Sequence, residues 1–174
     1  MATLRLDRPP NSNTASSNII ALQTRAPERL VGVGFRCWLK GFTTGDIGCW
    51  EEAFSTFSGT LGHDNAKTLL LDLSQFVRAV SATSERTIQV QTPGCSGFCR
   101  DECLAISIIA ACQHHAREAL RSSTSALLGS DDIGDALNGA QTFACGLKSA
   151  NQLLSAESIC PATCALRVGN RHLM

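Results

Sequence analysis

Large apolar side chains recur along this chain at helical intervals and hardly ever at the two-residue alternation of a strand. Val31, Phe35, Trp38 and Phe42 stand at i, i+4, i+7 and i+11, behind Pro27 and Glu28, which suit a first helical turn. Gly32, Gly34 and Gly41 weaken that stretch as a helix. Asp46 predicts the cap of a second helix, with an apolar face of Ile47, Trp50, Phe54, Phe57 and Leu61 and an end at Gly59 or Gly62. A third helix, capped by Asp64, is expected from Asn65 to about Ala82, burying Leu69, Leu70, Leu73, Phe76, Val77 and Val80. Thr83 to Thr92 is polar. Its one alternating patch, Ile88-Gln89-Val90, is a single candidate strand and cannot make a sheet, so the segment reads as a loop.

The longest apolar run, Leu104 to Leu120, predicts a fourth helix from about Phe98 to Arg121. Asp101 and Glu102 near its start and Arg117 and Arg121 near its end match the helix dipole. After Gly129, Ser130-Asp131-Asp132 caps a fifth helix. Its stripe of Ile133, Leu137, Ala140, Ala144, Leu147, Asn151 and Leu154 alternates steps of four and three, the pattern of a bundle seam. The expectation is an all-α bundle of about five helices, one domain over 27–165. It carries a disordered N-terminal arm over 1–26, and its Cys-bearing C-terminal tail runs on through 166–174.

Composition changes little in this picture. With 44% apolar and 17% charged residues the chain is globular in character. Its net charge of zero and scattered arginines give no reason to expect a nucleic-acid partner or an anionic membrane. No apolar run reaches the roughly 18 to 20 residues of a membrane span, and the start of the sequence lacks the apolar core of a secretory signal. A cytoplasmic location is therefore expected. Nine cysteines, an odd number in 174 residues, point to metal binding, redox chemistry or packing before a disulfide scaffold. Cys37, Cys49, Cys112 and Cys145 are scattered and read as core.

The remaining cysteines are grouped. Cys95, Cys99 and Cys103 are four apart where a Pro93-Gly94 turn enters the fourth helix. Cys99 and Cys103 share a face one turn apart, and Cys95 can fold back over the helix start. Backbone N–H groups and the dipole at that end are expected to favour thiolates. Cys112 lies about 180° around and about 13 Å beyond Cys103, so it cannot join them. His114 and His115 also fall too far along the axis. If helices four and five pack antiparallel, the end of helix five near Leu154 comes level with Cys99 and delivers Cys160 and Cys164 to the same place. The candidate metal ligands are thus Cys95, Cys99, Cys103, Cys160 and Cys164, for zinc or an iron–sulfur cluster.

A closed four-thiolate site indicates a structural or sensory role. The alternative is a cofactor-free interaction or regulatory bundle with reduced, mostly buried cysteines, binding a partner protein or a second copy of itself through the Trp38/Trp50 region or the N-terminal arm. An enzyme is not indicated. Cys99 could serve as a nucleophile, but no base and orienter stand with it, and Gly32-Val33-Gly34 is no phosphate loop.

Helical CxxxC pairs resemble those of copper-storage four-helix bundles, although here Leu104, Ile106 and Ile108 follow Cys103 where further thiols belong. Gly34-Phe35-Arg36-Cys37-Trp38-Leu39, Gly45-Asp46-Ile47, Cys49-Trp50-Glu51 and Gly97-Phe98-Cys99-Arg100-Asp101-Glu102-Cys103-Leu104 resemble a group of small proteobacterial cysteine-containing proteins without known activity, over about residues 30 to 160. That resemblance implies a bacterial source and brings no activity or site residues.

Overall fold

The computed structural model describes residues 25–160. Among them are six α-helices, a single 3₁₀ turn and no strand: α1 (Ala26–Thr44), α2 (Ile47–Leu61), α3 (His63–Thr83), α4 (Arg100–Gln113), α5 (Arg117–Leu128), α6 (Gly134–Ser149) and the turn Ala156–Ser158. No described helix is long and apolar enough to cross a membrane. The all-helical expectation holds, with six helices where about five were expected. The expected arm over 1–26 falls, but for Arg25 and Ala26, outside the described residues, as do Cys164 and the segment 166–174.

Centrality follows from composition. Leu104 to Ala111 are buried without a break, so α4 is covered on all sides while its neighbours bury one face each. It contacts α1, α5 and α6, and α3 packs against α1, α2 and α6. Phe35 and Phe76 meet with ring centroids 6.0 Å apart, and Phe57 and Phe143 at 6.5 Å, tying α1, α2, α3 and α6 into one core. The α3–α6 contact is close because Gly139 lacks a side chain. A Cβ there would stand 2.8 Å from the Phe76 Cα.

Several elements differ from the sequence expectation. The expected single helix over Phe98 to Arg121 is two helices, broken at His114–Ala116, where His115 takes a left-handed φ of 56°. The break is held by side chains: the His114 ring bonds the Leu154 carbonyl at 2.7 Å, and Gln113 accepts from Leu154 N at 2.8 Å while donating to Gln152 O. Arg117 accordingly stands in the first turn of α5, at the opposite dipole end from the one expected. The seryl run Ser122–Ser125, expected to loosen the chain, lies inside α5. Thr124 there bonds back to Leu120 O, and Ser123 pairs with Ser107 at 3.1 Å.

Because α5 reverses the chain once more, the end of α6 meets the C-terminal end of α4. Leu154 sits beside Gln113, not level with Cys99 as the antiparallel hairpin required. Asp64 is inside α3, which starts at His63 after Gly62, and is not its cap. Asp46 does cap α2, accepting from Gly48 N at 2.9 Å. The expected cap of the last helix fails, since α6 begins at Gly134 with no side-chain cap, and Asn151, at φ 58°, has already left it. Phe42 and Ile47, read as core, are 48% and 65% exposed at the α1–α2 corner.

Gly139→Ala should destabilise the protein by about 1–3 kcal/mol in urea unfolding, because backbone cannot yield to the new methyl as a side chain can. A gain of about 1 kcal/mol, the ordinary helix preference of Ala over Gly, would show that α3 and α6 are not in this close contact.

Candidate functional site: the buried start of α4

Two consecutive carboxylates organise the start of α4. Glu102 is fully buried and makes four contacts. It accepts from Arg36 Nε at 2.7 Å and Nη2 at 3.1 Å, from Gln91 N at 3.0 Å and from Cys99 N at 2.8 Å. The last is half of a capping box, with Cys99 as the N-cap. Asp101 accepts from Arg86 Nη1 at 3.0 Å and Nη2 at 2.6 Å and from Gln89 N at 2.7 Å. First-turn acids are favoured by the helix dipole, but these also stitch the loop between α3 and α4 to the helix start.

Arg36, on α1, is 1% exposed. Beyond Glu102, its guanidinium donates to Cys95 O at 2.7 Å and to Gly97 O, and it lies 5.4 Å over the Phe98 ring. A planar fork with five donors suits this task, because every contact comes from one rigid plane. Gly32, one turn earlier on α1, makes room for Phe98: any Cβ there would overlap the ring. The loop carrying Cys95, Cys99 and their neighbours is thus fastened to α1 through the backbone carbonyls of Cys95 and Gly97.

The predicted cysteines are distributed as follows. Cys95, in the turn before α4, is half-buried and borders a cleft of about 280 Å³ with Arg29, Arg36 and Glu52. Cys99 is half-buried, its thiol donating to Gln89 O at 3.1 Å. Cys103, half-buried, follows one turn on, its N–H bonded to Cys99 O at 2.9 Å. Cys160 N donates to Ser107 Oγ at 2.9 Å, so the tail does return to α4, one turn beyond Cys103. It arrives by a different route from the one expected: from the far end of α4, along a strap in which the buried Glu28 accepts from Ser155 N and Ser158 Oγ, both at 2.8 Å. Among the described residues, no three His, Cys, Asp or Glu side chains are gathered so as to hold a metal ion.

The expected thiolate bias at Cys99 is reversed. Burial raises its thiol above the ordinary value, and the Glu102 and Asp101 carboxylates push the same way, against the helix N–H donors. Burial likewise pushes Cys112 up to about 11 and Cys37, beside Glu52 and Cys49, up to about 12. Cys37 and Cys49 are core, as expected. Cys112 is half-buried and Cys145 exposed, so the expectation of core fails for Cys145.

Sequence reading missed Arg36, Arg86, Gln113 and Ser107, and saw Glu28, Asp101 and Glu102 only as dipole partners. An Arg within the apolar stretch Val31–Leu39 is the signal that could have found the buried pair, since an unpaired charge cannot stay there. In comparisons with known proteins, the chain matches no family model, no curated protein and no solved structure.

Arg36→Met should cost about 3–5 kcal/mol in urea unfolding, because Glu102 then stays buried without a countercharge. Adding Glu102→Gln should recover much of that loss, which separates the uncompensated charge from lost packing. Stability should also fall as pH rises above the ordinary thiol value of 9.0, since the unfolded chain releases the Cys37 proton there and the folded chain keeps it to about 12. Cys37→Ala should flatten this part of the stability-against-pH curve; an unchanged slope would count against the burial of that thiol.

Proposed function

We propose that this is a small thiol-clasp protein with a structural or sensory role. In it Cys95, Cys99 and Cys103 join Cys160 or Cys164 in holding a thiophilic metal, zinc or an iron–sulfur cluster, and the clasp fastens the C-terminal tail to α4. One observation carries the reading: Cys160, bonded through its N–H to Ser107, lies on the stretch of α4 that bears Cys103 one turn earlier. The half-burial of Cys95, Cys99, Cys103 and Cys160 supports it, because a clasp needs thiols that are sheltered yet reachable. Metal entry displaces one proton from each ligating thiol, and four thiolates leave no open position for a substrate. Loss of metal or oxidation of the thiols then frees the tail. The reading goes with a reducing, cytoplasmic setting, where thiols persist.

A second reading, a cofactor-free interaction bundle, is favoured by a different observation. The upward shifts at Cys37, Cys49, Cys99 and Cys112 describe neutral, packed thiols. The exposed Phe42 and Ile47 stand near the Trp38–Trp50 pair, offering an apolar corner to a partner protein or a second copy.

Metal and sulfide analysis of protein purified without oxygen separates the two. The clasp predicts about one zinc or one cluster per chain. It also predicts a loss in Cys103→Ser and in Cys160→Ser, and faster proteolysis of the tail after chelation. Metal-free protein with nine titratable thiols on unfolding would leave the interaction bundle.

A further inference from the structure

A cleft of about 470 Å³ lies away from the cysteine-bearing start of α4, at the break between α4 and α5. That volume is within the range of roughly 300–1,000 Å³ usual for small-molecule sites. Its floor is apolar, formed by Ala111 and Leu120 with Ala144 of α6. It is also lined by Arg117 of α5 and Lys148 of α6, with His115 from the break. No carboxylate lines it. Neither Arg117 nor Lys148 pairs with a carboxylate among the described residues, whereas Arg25, Arg36 and Arg86 all do.

Two cations without an ion-pair partner among the described residues, beside an apolar floor, make an amphipathic receptor. The break that forms one wall is held in place by Gln113 and by the left-handed His115, so the cleft is built before any ligand arrives. Arg117 also begins α5, where the dipole adds to the positive field. Glu118 follows it but does not line the cleft.

We infer that this cleft binds a small amphipathic organic anion, its acid group between Arg117 and Lys148 and its apolar body on Ala111, Leu120 and Ala144. Decanoate is a suitable probe, with decanol and inorganic phosphate as the body-only and head-only controls. Calorimetric titration of the full chain should show decanoate binding more tightly than either control. The Arg117→Gln/Lys148→Gln variant should weaken it about tenfold or more, the loss expected from removing two charge-assisted contacts. Saturating decanoate should also slow alkylation of the exposed Cys145, which lines the cleft.

Gln141→Trp, at an exposed rim position, should fill the cleft and abolish both effects with the helical melting curve unchanged. Absence of decanoate binding, equal binding of decanol or phosphate, or undiminished binding in the double variant each overturns the proposal. None of these outcomes bears on the metal content that tests the thiol clasp.

Discussion

The buried pair of Arg36 and Glu102 is the constraint on which the rest of the structure depends. Removing two charges from water costs several kcal/mol per ion, and their mutual attraction about offsets this only with good geometry and every other lone pair occupied. Here the requirement is met from three directions. α1 supplies Arg36, the loop supplies Gln91 N–H and the carbonyls of Cys95 and Gly97, and α4 supplies Glu102 and, through its N-cap, Cys99 N–H. Such a pair adds little net stability, but it tolerates few alternative arrangements. If any of the three elements moves, a charge or a backbone dipole is left buried without a partner. The long connection from Ser84 to Cys99 therefore holds one conformation with no regular structure of its own, a rare condition for a loop of that length.

The segment after α6 is ordered by the same device on a smaller scale. Gln113 accepts from Leu154 N and donates to Gln152 O of the strap, and it also donates to Ala144 O of α6. Glu28, buried at the start of α1, receives Ser155 and Ser158, and Ser107 receives Cys160. Each grip is a single polar side chain, and Leu154 and Ile159 of the strap also pack on the core. A strap this short, with two apolar anchors, opens at lower free energy than a whole packed helix.

How much of this could be read in the sequence depends on the kind of interaction. Periodicity located four of the six helices and ran the other two, α4 and α5, together, because the 3.6-residue repeat of apolar side chains is imposed by the core they share. It also located the central helix, since Leu104 to Ala111 has no polar face to turn outward. It misplaced Phe42 and Ile47, whose spacing is helical but which stand exposed at a corner among the described residues. The break at His114–Ala116 left no periodic trace. The run Ala110-Ala111-Cys112-Gln113-His114-His115-Ala116 contains no Gly or Pro, and the turn is selected by Gln113 and His114 binding a strap about 40 residues away. Contacts of that span are invisible to any local pattern, and one missed turn reversed the direction of everything after it. Cys160 was nonetheless expected beside α4. The agreement is partial, because the route that brings it there is the opposite one.

The same distinction sorts the cysteines. Spacing grouped Cys95, Cys99 and Cys103 along the chain, but among the described residues no three such side chains are gathered to hold a metal ion. The helix dipole is worth at most about 2 kcal/mol, and here its positive end is already occupied by two carboxylates that serve Arg36 and Arg86. A thiol placed among them meets negative charge and low dielectric together, and both favour its proton. The acids that fold the loop therefore set the chemistry of Cys99. A divalent metal reverses that balance, since its own charge exceeds that of the dipole and it can replace the thiol proton outright. Without such an ion, Cys99 is a neutral donor to Gln89 O and a part of the cap.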